Sequence, residues 1–233
     1  MRTVITIGRQ FGSGGREIGE RLAKELDIPF YDKDLVTMAA QKSDMHQDVL
    51  KDIDERATNS LLYSIVTGNA MRGINSPIYY EMPINDKLFI AQSEVIKNVA
   101  NQGACVIVGR CADYVLEDSD LSVINVFIHS DMQSRIARVQ QRYDLSADKA
   151  REKITKTEKQ RKTYYNYYTN REWGKIENYD ICVNSGKIGL DNAVSIIKAF
   201  AQMKEDSLKK WDYTAEYTHM YTPFFAFIII MAY

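Results

Sequence analysis

Val4-Ile5-Thr6-Ile7-Gly8-Arg9-Gln10-Phe11-Gly12-Ser13-Gly14-Gly15-Arg16-Glu17-Ile18-Gly19 is the stretch whose reading decides the fold of this 233-residue chain. Val4 to Ile7 is a short β-rich run. Gly8 to Gly15 then holds four glycines in eight residues. From Arg16 the period changes, and Ile18, Leu22 and Leu26 recur at helical spacing with Glu and Lys between them. The order is strand, glycine loop, helix. Such a loop lets backbone N–H groups converge on a phosphate, and the helix N-terminus adds its partial positive charge. Glycine is needed there because a Cβ blocks close approach and restricts the dihedrals. A tight turn that binds nothing is the bland alternative, and the glycine density weighs against it.

The same alternation continues outward. Asp27-Ile28-Pro29 breaks the helix and Phe30-Tyr31 begins a second strand. Residues 34–66 read as helices, 67–85 as a long loop, and 86–101 as a helix. Cys105 to Val108 and Val123 to Ile128 are continuous apolar runs suited to buried parallel strands. Charged helical sequence follows through Arg161, Tyr179 to Val183 offers a fifth strand, and Ala193 to Ala201 a last helix. Strands alternating with helices predict a parallel sheet covered on both faces.

Charge sets limits on partners. With 30 basic and 31 acidic residues the chain lacks the basic excess of a general nucleic-acid binder. A mononucleotide needs only a few local cations. Cys105, Cys111 and Cys182 form no CxxC pair, which argues against a zinc site. They read as buried thiols in a reducing cytoplasm. No metal-ligand cluster is expected.

The glycine loop departs from G-x-x-x-x-G-K-[ST]. Gly15 stands where the lysine belongs, and Arg16 comes one place later. Arg16 is the first candidate for the phosphate cation, because a guanidinium binds phosphate oxygens bidentately; Arg9 is the next. No Ser or Thr follows to help hold magnesium, so water and ATP oxygens would hold it.

Several segments together resemble the cytidylate kinase-like family. They are the opening run above, Tyr31-Asp32-Lys33-Asp34-Leu35, Asn85 to Ser93, Val106-Ile107-Val108-Gly109-Arg110-Cys111-Ala112-Asp113, and Lys159 to Tyr168. The resemblance covers about residues 1–202. It implies a three-layer α/β/α fold of the P-loop NTPase type, with a parallel five-stranded sheet and a helical lid at about 144–175. It implies ATP and Mg²⁺ at Gly12, Ser13, Gly14, Gly15, Arg16, Glu17 and Arg135. It implies a CMP-like substrate at Asp32, Arg110, Asp113, Glu158 and Arg161, with Arg16, Arg110 and Arg161 acting in catalysis. Two departures stand out. The family's Gly-Arg-Asp is Gly109-Arg110-Cys111 here, with Asp113 two places on. The first arginine of its lid motif falls on Ile154.

The expected activity is transfer of the ATP γ-phosphoryl group to a nucleoside monophosphate such as CMP or dCMP. Two alternatives stay open: a nucleotide-binding regulatory module that has lost catalysis, and a small-molecule kinase with another acceptor. The tyrosines 164, 165, 167 and 168 read as lid packing or as a base-stacking surface. Residues 203–233 read as an extension beyond the domain, dispensable for folding and nucleotide binding. Its apolar end, Phe224 to Ala232, is too short for a bilayer, which takes roughly 20 residues. Docking on the parent domain or pairing as a homodimer is expected of it rather than membrane contact.

Overall fold

The structure is a computed structural model and describes residues 1–42 and 84–209. The helices expected within 43–66, the loop within 67–83, and the apolar tail lie outside these residues. In chain order the elements are β1 (Val4–Arg9), α1 (Gly15–Leu26), β2 (Phe30–Tyr31), α2 (Asp34–Lys42), α3 (Ile84–Asn101), β3 (Val106–Val108), α4 (Ala112–Val115), β4 (Val123–His129), α5 (Met132–Tyr143), α6 (Ala147–Thr169), β5 (Ile181–Asn184) and α7 (Ser185–Ile188). A final helix, α8, runs from 190 through 209.

The five strands are all parallel, in the order β2-β3-β1-β4-β5. Central β1 pairs Ile5 with Val106 on one side and with Ile124 on the other. Strand side chains alternate between faces, and the two cores follow that rule. Val4 and Ile107 join Leu35, Leu88, Ile96 and Leu116 on one face. Ile5, Ile7, Val106 and Val108 join Ile18, Leu22, Val194 and Ile197 on the other. Helices thus cover both faces, giving the expected three layers. Each fully buried Ile, Leu or Val contributes about 1.5–3 kcal/mol. The one polar pair inside the sheet closes on itself, with Thr6 Oγ1 donating to Asn125 Oδ1 at 2.7 Å.

Local chemistry sets the ends. Asp131 caps α5 by accepting from the Ser134 amide at 2.9 Å. Asp27 ends α1 in the left-handed conformation just before Pro29. β5 starts at Ile181 rather than Tyr179, because the Tyr179 ring turns onto Phe127, 4.8 Å between centroids. Cys105 flanks β3 and is buried, which pushes its thiol up to about 11; Cys182 is only half-buried.

The last helix overturns one boundary. It does not stop at Ala201 but continues to 209, so an end at 202 cuts through it. Beyond that point buried Glu205 accepts from the Arg2 and Thr3 amides and from Thr3 Oγ1, at 2.7, 2.7 and 2.5 Å. Lys204 Nζ donates to the Val123 carbonyl at 2.7 Å. These contacts fasten the helix to the amino ends of β1 and β4. Among the described residues no helix is long and apolar enough to cross a membrane.

Candidate active site

In open α/β sheets the ligand crevice lies beyond the carboxyl ends of the strands, where the strand order reverses. Here that point is between β1 and β3. The loop after β1 and the turn after β3 face each other across it. A cavity of about 590 Å³ opens there, lined by Arg9, Arg16, Arg110, Arg138, Arg142 and Arg161 together with Lys33. The acidic residue lining it is Asp32. A volume of that size is ordinary for a small-molecule site. Cations in this excess over carboxylates suit a polyphosphate.

The loop's glycines divide by role. Gly12 and Gly14 both adopt φ +82°, which L side chains rarely take. A Cβ on Gly12 would also sit 3.0 Å from the Arg135 carbonyl and from Val139 Cγ2, and one on Gly14 would meet Leu190 Cδ2 at 2.6 Å. Both glycines therefore serve the loop's conformation and its packing on α5 and α8, so a side chain at 14 would strain the fold as well as the cradle. Ser13 is buried, and its hydroxyl donates to the Gln10 carbonyl at 2.9 Å; Ser185 Oγ in turn donates to the Ser13 carbonyl at 2.6 Å. Its side chain braces the loop from behind.

The residues expected to bind ATP or substrate separate into two groups. Arg16 lines the cavity, donating to Asp32 Oδ2 at 2.8 Å and to Glu20 at 3.0 Å. The Asp32 bond, ahead of burial, raises its pKa. Asp32 is buried, with Arg9 Nη2 3.8 Å from its other oxygen. Glu17, by contrast, faces outward to Arg21 and Arg138. Arg135 is buried away from the cavity and donates to Glu158 Oε2 at 2.8 Å. Its neighbours one and two helical turns on, Arg138 and Arg142, are the arginines of α5 that face the cavity. The helical spacing of all three was legible, but not which face met the loop.

Glu158 and Arg161 meet the loop directly. Glu158 Oε1 accepts from the Phe11 amide at 2.7 Å, so α6 holds the loop rather than lining the cavity. Arg161 Nη1 donates to the Arg9 carbonyl at 3.1 Å, and its guanidinium lies 5.5 Å from the centre of the Phe11 ring.

The turn after β3 is strained. Gly109, Arg110 and Cys111 have φ of 77°, 59° and 54° in succession. Two consecutive non-glycine residues in the left-handed region cost of order 1–3 kcal/mol each and concentrate at functional sites. The strain turns Arg110 into the crevice, where it is buried, and that burial pushes its guanidinium below the ordinary value.

A second, small cavity of about 30 Å³ adjoins the first and is lined by Asp113, Tyr164, Tyr165 and Trp173 among others. Arg9, Arg110 and Arg161 line both cavities. Asp113 accepts from the Tyr165 hydroxyl at 2.7 Å; burial raises its pKa, against that bond and nearby backbone amides. The tyrosines mostly pack: Phe89 stacks on Tyr168 at 4.1 Å, and Tyr164 lies edge-on to Phe89. Among the described residues no three His, Cys, Asp or Glu side chains cluster as a metal site.

Residues 4–187 match the family model described as the cytidylate kinase-like family. The chain belongs to the cytidylate kinase-like family. A cytidylate kinase of Pyrococcus horikoshii is 31% identical over 101 residues, 43% of this chain and 50% of that protein, so the match spans half the relative's length. A solved structure of an uncharacterized protein from Eubacterium ventriosum superposes with TM-score 0.62 at 30% identity, covering 85% of this chain and 98% of that one. A shikimate kinase from Bacteroides thetaiotaomicron gives TM-score 0.49 at 12% identity, covering 87% and 99%, a likeness too remote to bear on the acceptor. Within the cytidylate kinase-like family, a loop with glycine in the lysine place makes the source of the phosphate cation the open question.

Proposed function

We propose that this chain transfers the γ-phosphoryl group of ATP to a nucleoside monophosphate, CMP first, with dCMP or UMP behind it. The observation that carries the reading is the sharing of Arg9, Arg110 and Arg161 between two adjoining cavities. Phosphoryl transfer is mostly positioning and charge neutralisation, and needs no covalent nucleophile. Arginines at a boundary between donor and acceptor can contact both phosphates at once, bidentately.

The residues fit a polyphosphate and its magnesium unequally. The larger cavity offers backbone amides at the start of α1 and the basic side chains already named. For the ion, Arg16 stands where the loop pattern has Ser or Thr, and Asp32 is engaged by Arg16. Magnesium bound with ATP would supply further charge neutralisation, held chiefly by water and phosphate oxygens. Arg110 would hold the acceptor phosphate, its buried guanidinium being fixed by the strained turn. Arg161 would bind phosphate while its hydrogen bond to the Arg9 carbonyl keeps α6 on the loop.

An acceptor panel with Mg-ATP tests this, reading ADP and phosphorylated product together. CMP, dCMP and UMP are expected to give diphosphates faster than AMP, GMP or non-nucleotide alcohols. ADP release with no phosphorylated acceptor, or transfer only to a non-nucleotide, would overturn it.

A further inference from the structure

In the usual phosphate loop glycine stands first and lysine seventh. Counted back from α1, the first place here is Arg9 and the seventh Gly15. The two departures are one. A Cβ on Gly15 would lie 2.5 Å from Arg9 Cβ, 3.1 Å from Arg9 Cγ and 3.3 Å from Ile128 Cβ. The stem of Arg9 therefore fills the space through which a side chain at 15 would leave the backbone. The other end of the side chain explains a second glycine. Arg9 Nη1 overlaps the place a Cβ on Gly109 would occupy, so the guanidinium is seated on the turn after β3. Arg9 thus threads between two glycines, from the loop to the boundary of both cavities, and its side chain is only 13% exposed.

We propose that Arg9 is the phosphate-binding cation of this loop, moved from the seventh position to the first, and that Gly15 is the cost-free counterpart of that move. Arg16 is the weaker claimant. It is 43% exposed, and it is bonded to two carboxylates, Asp32 and Glu20. The Arg9 guanidinium is the better desolvated of the two, and it sits where the donor and acceptor phosphates would meet. The assignment rests on the phosphotransferase reading above, because it needs a polyphosphate in the larger cavity.

The test is the binding of Mg-ATP, and of adenosine as a phosphate-free control, to a set of loop variants with melting temperatures measured alongside. Arg9→Gln should weaken Mg-ATP roughly 10- to 150-fold, the range for a lost charge-assisted hydrogen bond, and leave adenosine unchanged. Arg9→Lys should recover part of the loss. Gly15→Lys alone should lower the melting temperature by its collision with Arg9. The exchange Arg9→Gly/Gly15→Lys should restore both folding and Mg-ATP affinity to within about tenfold of the parent, that is, to within 1.4 kcal/mol. Parent-like Mg-ATP affinity in Arg9→Gln overturns the assignment, as does a folded double variant that binds no better than Arg9→Gln. A parent protein that binds no Mg-ATP at all fails the phosphotransferase reading instead, which keeps the two outcomes distinct.

Discussion

The two ends of the sheet treat polar groups in opposite ways. At the amino ends of β1 and β4, Glu205 accepts from the Arg2 and Thr3 amides and the Thr3 hydroxyl, Thr3 Oγ1 lies 3.0 Å from Ser122 Oγ, and Lys204 reaches the Val123 carbonyl. Each charge has found a partner within the fold. At the carboxyl ends, six arginines and a lysine line one cavity with Asp32, and the turn carrying Arg110 is strained. Buried, like-charged groups and left-handed non-glycine residues cost stability. The difference teaches that the carboxyl end is organised for an anion that arrives later, and the amino end for the chain itself. Mutations at the two ends should therefore separate activity from stability.

The largest effect is expected from Arg110→Met. Methionine keeps much of the arginine's length without its charge. Loss of one preorganised charge at the transferring group should lower kcat/KM roughly 100- to 1,000-fold. Replacing a buried charge by an apolar side chain is often neutral or stabilising, so the melting temperature should stay level or rise. Steady-state kinetics and calorimetry on one preparation check both. A marked fall in melting temperature would mean that Arg110 is a structural residue and would break the contrast.

Truncation after Met203 should do the reverse. It deletes Glu205 and Lys204, and so breaks the clasp on β1 and β4. Three hydrogen bonds to one carboxylate are lost along with part of α8, and the melting temperature should fall by roughly 10 °C, at about 2–4 °C per kcal/mol for a domain of this size. An unchanged melting temperature would return the boundary to residue 202.

Glu205→Gln sharpens the same point with pH. Burial alone would raise the Glu205 pKa, but the bonds from the Thr3 hydroxyl and the Arg2 and Thr3 amides outweigh it and hold the value below the ordinary one. A depressed carboxylate contributes stability above its unfolded pKa, about 4.3, and loses it as pH falls through the folded value. The variant should therefore melt roughly 2–4 °C lower at pH 7, for a loss of about 1 kcal/mol. That gap should close below about pH 4. Melting curves from pH 7 down to 3 check the sign.

What the sequence discloses follows from how local each signal is. The strand at Val4–Ile7, the glycine loop and the Ile18-Leu22-Leu26 stripe are read within a few residues, and the structure has them as β1, loop and α1. The end of α8 is not local, since Glu205 finds its partners 202 and 203 residues away. Arg135 and Glu158 fall in or near recognisable patterns, yet they bond to one another because α5 and α6 cross beneath the loop. Arg9 is hidden for a related reason. A periodicity can place it at the end of β1, but not show its stem lying over a glycine six residues later.

The smallest effect is expected at Arg16, the residue the loop pattern alone favours. Its guanidinium already serves Asp32 and Glu20 and is nearly half exposed, so water can screen and replace much of what it offers. Arg16→Ala should weaken Mg-ATP binding by less than about tenfold, under 1.4 kcal/mol. It should also release the Asp32 carboxylate toward Arg9, whose Nη2 is 3.8 Å away. That second consequence separates the two arginines. If Arg9 binds phosphate, an Asp32 drawn toward it competes with ATP, and Asp32→Asn in the Arg16→Ala background should recover the lost affinity. If Arg16 itself binds phosphate, the loss should reach the range predicted for Arg9→Gln, and Asp32→Asn should recover nothing. Titrations of the single and double variants with Mg-ATP decide between them.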